Sequence, residues 1–316
     1  MTLENRLRQL QRDGKLDLPF PGSGETPVRH RCLFDLGRLD LSLARLAEAH
    51  VDALAILAEA GRRADPDALY GVWASETPDQ TLRLNGLPPR LELNGNKVFC
   101  SGAGLLDRAL VTVSVPEQTL IDVNLHASTG ALVVDGSGWI VSAFSETQTA
   151  TVTFSRVPVD ENDIIGETGW YLNRPGFWQG ACGPASCWAG GAAGLVDYAR
   201  AQSRNDSHTL AHLGALHADA WGMGAYLDLA GKEIDENPDD VANAGIIALT
   251  LRHLVEQTCT DILKRFARAY GPRPLTFDHN ISRRYQELDL YIRQCHGERD
   301  LEALGRGVYR QTNPVT

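Results

Sequence analysis

Chemistry in this chain could begin at Phe99, Cys100 and Ser101, which set an aromatic ring, a thiol and a hydroxyl side by side at the end of an apolar segment. The run that follows, Gly102-Ala103-Gly104, has no bulk, so a flat ligand could approach its backbone closely. Two histidines invite different readings. His50 falls within an apolar helical stripe and reads as a hydrogen-bonded core residue. His296, between Cys295 and Gly297, could serve as a base near neutral pH or merely cap a turn. A metal site is disfavoured: the chain has no H-E-x-x-H, and Cys182 and Cys187 lie five apart in a helix, on different faces. No G-x-G-x-x-G opens a helix after a strand, so a Rossmann-type nicotinamide site has no support.

The elements that must position these groups follow from periodicity. Leu91–Leu93 and Lys97–Cys100 read as two strands joined by a tight Asn94-Gly95 turn, a pair that supplies the positive φ values of a two-residue hairpin. Between Asp65 and Asp163, runs 108–115, 119–125 and 149–157 are β-branched and partly alternating. Their connections are too short for crossover helices, which predicts a compact antiparallel β domain. Before it, 2–15 reads as a short polar helix followed by the loop PFPGSGETP, an arm that is mobile unless it wraps the body or a partner subunit. From Leu39 the pattern is helical, with Leu43, Leu46, His50, Leu54 and Leu57 on one stripe and Gly61 at the C-cap. After the strands, 180–204, 210–236, 240–270 and 282–304 predict a four-helix bundle. The first of these is rich in Gly and Ala, which permits close approach of another helix. The expected division is 1–66, 67–163 and 164–316.

The 316 residues include 43% hydrophobic and 22% charged types, the composition of a globular protein with ample core. The net charge of −10 and the absence of a basic stripe exclude nucleic acid as a natural partner. Apolar runs such as 244–251 are far shorter than a membrane span. Six scattered cysteines without a C-x-x-C pair, and an N-terminus unlike a signal peptide, lead to the expectation of a cytoplasmic protein with reduced thiols.

The segment Gly95-Asn96-Lys97-Val98-Phe99-Cys100-Ser101, with Tyr70-Gly71-Val72-Trp73 upstream and the helical half downstream, resembles the acyl-CoA dehydrogenase family of flavoproteins. The resemblance implies an α+β fold with a short N-terminal helical part, a central antiparallel β domain and a C-terminal four-helix bundle. It implies FAD as cofactor, with Phe99 packed on the flavin, Cys100 beside it and the Ser101 hydroxyl near its N5. Tyr70, Val72 and Trp73 match the ring-touching segment, although Trp73 replaces a threonine. The following 74–79 lacks the family's glycine-serine stretch, so Glu76 and Asp79 read as a solvated turn. Arg204, preferred over Arg200, would hold the pyrophosphate across a subunit interface of a homodimer or homotetramer. Neither family glutamate is present, and Cys295 or His296 falls at the catalytic position, as in flavin monooxygenases of this fold. The implied activity is oxidation or oxygenation of a small organic substrate, such as a coenzyme A thioester. The alternative is a degenerate, non-catalytic member that acts as a binding or scaffolding module.

Overall fold

The computed structural model describes residues 1–77, 81–126 and 130–313. Helices α1 (Leu3–Arg12), α2 (Thr26–Leu39) and α3 (Leu41–Glu59) come first. Eight strands follow: β1 (Tyr70–Trp73), β2 (Leu82–Leu87), β3 (Arg90–Cys100), β4 (Arg108–Val113), β5 (Thr119–Asn124), β6 (Leu132–Asp135), β7 (Ala150–Val159) and β8 (Ile164–Ile165). The remainder is helical: α4 (Trp170–Asn173), α5 (Pro175–Gly180), α6 (Cys182–Arg200), α7 (Ser207–Glu236), α8 (Val241–Tyr270), α9 (Pro272–Phe277), α10 (His279–Tyr291) and α11 (Glu298–Thr312). The chain forms two compact units, one of Met1–Asp17 with Leu46–Phe177 and one of Leu18–Arg45 with Trp178–Thr316.

In the first unit the N-terminal arm is held rather than mobile. Leu3 and Leu7 of α1, one turn apart, are buried. Arg8 forks onto the Asp107 carboxylate through two 3.0 Å bonds, and Gln11 donates to the carbonyls of Pro66 and Ala68. The strands form two four-stranded sheets, β1-β4-β5-β8 and β2-β3-β7-β6. All pairs are antiparallel except β1 with β4, which run parallel because the β2–β3 hairpin between them belongs to the other sheet. Alternation along β4 explains the layering. Ala109, Val111 and Val113 enter a core shared by both sheets, whereas Leu110 joins Ile56 and Leu57 of α3 on the opposite face.

The expected Asn94-Gly95 hairpin turn is not formed. β3 runs unbroken through both residues, and the turn lies at Pro88-Pro89. Gly95, at φ +125°, is needed for a different reason. A Cβ there would lie 2.2 Å from the Thr81 carbonyl oxygen, so the glycine permits close strand approach at a register irregularity beside Leu93 and Asn94.

In the second unit, α2 was not foreseen in the loop-like region before Leu39. It buries Thr26, His30, Leu33, Phe34 and Gly37, spaced as one helical face. Its partner is α6. A Cβ on Gly37 would meet the Cys187 carbonyl at 2.3 Å, and one on Gly190 the Phe34 carbonyl at 2.0 Å, so the small residues of α6 are where two helix backbones meet. The fourth long helix is interrupted. α10 ends at Tyr291, a short 3-10 turn covers Ile292–Gln294, and Gly297 at φ +55° re-aims the chain into α11.

Candidate functional site

The end of β3 is built around one unusual backbone position. Phe99 has φ +55°, left-handed geometry that a bulky residue adopts only under constraint, and its ring is 55% exposed. Ser101 follows through a tight turn in which its N–H donates to the Phe99 carbonyl at 2.9 Å. The Ser101 carbonyl accepts the Trp73 indole N–H at 3.1 Å, and the Ser101 hydroxyl receives a 3.3 Å bond from the Thr149 hydroxyl. Gly102 donates its N–H to the Thr147 carbonyl at 2.8 Å. The ends of β1 and β3 and the turn before β7 are thereby fastened together.

The structure gives the expected site residues unlike positions. Trp73 is buried in the core between the sheets, so its indole acts as a strut beneath Ser101. Tyr70 is enclosed on the other face of β1, where its hydroxyl accepts the Asp65 N–H at 2.9 Å and its own N–H donates to His50 Nδ1 at 3.1 Å. Burial raises the Tyr70 phenol above its ordinary value. Val72 is half-buried on that same face. Cys100 is buried, its Sγ donating to the Lys97 carbonyl at 3.3 Å, and burial pushes its thiol up to about 12. It is a core residue, not a nucleophile. Of the set, Phe99 is thus exposed, and Ser101 is half-buried with its hydroxyl bonded to the buried Thr149.

Two further features depart from the sequence reading. The bulk-free run is filled by the chain itself: a Cβ on Gly102 would meet Leu106 at 2.6 Å, and one on Gly104 would meet Gln148 at 2.1 Å. Glu76 is exposed, as expected, but it has partners on other strands. Its carboxylate accepts from the Ser114 hydroxyl and lies 3.6 Å from the Lys97 ammonium. Lys97 is buried and donates to the carbonyl and the hydroxyl of Thr112, each at 2.8 Å. Desolvation lowers its pKa, and Glu76 opposes that shift. Sequence reasoning passed over Lys97 as a positioning residue, although one lysine at a buried position of an apolar strand was the available signal. Pro78 and Asp79 lie outside the described residues. A cavity of about 230 Å³ opens beside Trp73, lined by Ala103, Leu125, Leu132 and Val152 among others. It falls below the roughly 300–1,000 Å³ of small-molecule sites, so it holds a fragment of a ligand at most.

Arg204 and His296 belong to the second unit. Arg204 lies beyond the end of α6, and its Nε pairs at 2.5 Å with Asp206, the residue that caps α7. Arg200 bonds Asp197 at 3.3 Å and His217 at 2.7 Å. His296 is not within a helix but in the link before α11, where Asp300 accepts its backbone N–H at 2.9 Å and lies 3.3 Å from its Nδ1. Arg252 holds the adjoining turn by donating to the Gln294 carbonyl at 2.8 Å while its guanidinium lies over Trp188.

No protein-family model matches the chain, and no curated protein does. Solved structures do. Butyryl-CoA dehydrogenase from Megasphaera elsdenii superposes with a TM-score of 0.74 over 88% of this chain and 81% of its own, at 14% identity. The chain has the acyl-CoA dehydrogenase-like fold. Other proteins of this fold are similar over nearly the whole length. Methanesulfinate monooxygenase from Pseudomonas fluorescens gives a TM-score of 0.75 at 17% identity, covering 99% of this chain and 96% of that one. A dibenzothiophene monooxygenase from a Paenibacillus species, solved with FMN and indole, gives 0.76 at 18% identity, covering 96% and 94%. Among the described residues, no helix is long and apolar enough to cross a membrane.

Proposed function

We propose that this chain is a flavin-dependent oxidoreductase that oxidises or oxygenates a small organic substrate. The observation that carries the reading is Phe99, an aromatic ring held outward by a strained backbone beside the fastened hydroxyl of Ser101, in a chain with a flavoprotein fold. A bound flavin would supply a two-electron acceptor or, when reduced, a partner for dioxygen. The residues do the rest: Phe99 provides a flat apolar wall, Ser101 a hydrogen-bonding edge, and Trp73 and Lys97 the rigidity beneath both.

FAD is the cofactor the family resemblance implies. Glu76 favours the shorter FMN, which the Paenibacillus enzyme holds, because a carboxylate fixed after β1 repels a second phosphate there. Arg204 is the cation assigned to phosphate. His296 is assigned to proton transfer, with Asp300 orienting its ring. The homodimer or homotetramer belongs to the same reading, supported by Leu210, Trp221 and Leu229 along the outer side of α7, with Trp221 72% exposed. Flavin titrations with FMN and FAD separately, followed by oxygen consumption with the reduced holoprotein, test it. Binding that weakens in Phe99→Ala and Ser101→Ala supports the reading. Binding untouched by both variants removes these contacts, and oxygen uptake equal to that of free reduced flavin points to the non-catalytic module. Turnover unchanged in His296→Ala would strike that residue from the mechanism.

A further inference from the structure

Helix α7 carries two apolar faces, and the chain covers one of them. Leu216, Met223, Leu227, Ala230 and Ile234 are buried, packed towards α2, α6 and α8. On the opposite side Leu210, Gly214, Ala218, Trp221, Ala225 and Leu229 recur at intervals of three or four residues, and all six are exposed. A helix that is apolar all round belongs in a buried setting, so the outer face calls for a cover. Glycine makes the same point. On the covered side, a Cβ on Gly231 would lie 2.7 Å from the Pro27 nitrogen, so that glycine lets α2 come close. A Cβ on Gly214 would meet nothing within 4 Å among the described residues. Glycine weakens a helix interior relative to alanine, and within this chain nothing occupies the space that Gly214 leaves.

The outer face is matched to itself. In a second copy laid antiparallel, about a twofold axis level with the Asp219-Ala220 peptide, Leu210 falls level with the partner's Leu229, Gly214 with the partner's Ala225, and Ala218 with the partner's Trp221. Each Trp221 ring enters the hollow left by the partner's Gly214 and Ala218. A groove of about 300 Å³ beside this face, lined by Pro27, Phe34, Gly224 and Leu227 among others, opens towards the partner's Leu210. None of the six positions is charged, so closure desolvates no ion. The area is sufficient. Trp221 is 72% exposed, Leu210 51% and Leu229 56%. With the small residues between them, the face offers roughly 500 Å² per copy and about 1,000 Å² for the pair, the size at which specific interfaces begin.

We infer that α7 pairs antiparallel with α7 of a second copy of this chain, with Trp221 seated against the partner's Gly214 and Ala218. This rests on the oligomer in the reading above, not on the flavin, and gives that oligomer a contact, an orientation and a register. A parallel pair sharing the same face would set Trp221 against the partner's Trp221 and Gly214 against the partner's Gly214. Bulk would then meet bulk and gap would meet gap, which leaves voids that the antiparallel register fills.

The experiment compares the full chain with Trp221→Glu, Ala218→Cys and Lys232→Cys, each checked for folding by circular dichroism. In the antiparallel pair the two copies of position 218 lie about 4.5 Å apart along the helix axes, within reach of a disulfide, whereas those of position 232, on the same face, lie about 37 Å apart. After mild oxidation, a non-reducing gel should show a crosslinked dimer from Ala218→Cys, and from Lys232→Cys only what the parent shows. Sedimentation velocity at graded concentrations should find the parent associated and Trp221→Glu split at this contact, its dissociation constant raised about thirtyfold or more. Crosslinking of Lys232→Cys in place of Ala218→Cys overturns the antiparallel register. A parent oligomer that Trp221→Glu leaves intact overturns the contact and spares the oligomer. A parent that is monomeric at every concentration overturns the pairing and the oligomer together, and leaves the flavin reading to its own titrations.

Discussion

His50 makes the strand that carries Trp73 sensitive to acid. Its Nδ1 accepts the Tyr70 N–H at 3.1 Å, which requires the neutral ring. Burial lowers its pKa from 6.5 to about 4. Between those values the unfolded chain binds the proton more tightly than the folded one, so this contribution to stability is complete above about pH 6.5 and lost as pH falls towards 4. At ~1.4 kcal/mol per pH unit, the displacement amounts to about 3 kcal/mol. Replacing His50 with Gln keeps an acceptor for Tyr70 and removes the titration. Urea unfolding followed by circular dichroism at intervals from pH 7 to pH 4.5 should show a clearly shallower acid loss in His50→Gln than in the parent. His30 has a pKa also lowered to about 4 by burial, and it remains in both proteins and cancels in the difference. Parallel stability curves for the two proteins would refute the reasoning, because the folded state would then accept the His50 proton without penalty.

Three other perturbations follow from the site. Trp73→Phe removes the bond to the Ser101 carbonyl; a cost of about 1 kcal/mol should appear as roughly fivefold weaker flavin binding in a fluorescence titration. Lys97→Met should flatten the alkaline side of the stability profile. The depressed folded pKa means that the parent gains stability as pH rises through the window between that value and 10.5, and thermal unfolding at graded alkaline pH reads the difference. Cys100, with its thiol pushed up to about 12, should stay unlabelled by a disulfide reagent at neutral pH in the native protein and react after unfolding, as peptide mass spectrometry would report.

The features legible from sequence were those with a local cause. Strand and helix periodicity gave the β-rich middle and helical end, the GNKVFCS segment pointed to the fold, and the apolar stripe through His50 marked a core histidine. The misreadings share a physical origin. Asn94-Gly95 has turn chemistry, but Gly95 is required by the Thr81 carbonyl across the sheet, a contact that spacing along the chain does not reveal. Gly102 and Gly104 have a similar explanation, because their missing side chains make room for Leu106 and Gln148 rather than for a ligand. Glu76 is solvated as expected, but its partners Lys97 and Ser114 come from other strands and were not legible. α2 was hidden by the Pro- and Gly-rich segment before it, although Thr26-Pro27 is itself a helix-start signal. Thr147 and Thr149 carried no motif at all; only the fold sets them behind Ser101.

The most direct test of the flavin reading is a visible absorption spectrum of the purified protein, taken as isolated and again after incubation with excess FMN or FAD and desalting. A flavin band that survives desalting, and that is diminished in Phe99→Ala, is the predicted result. A folded protein that retains no flavin absorption from either cofactor would contradict the account.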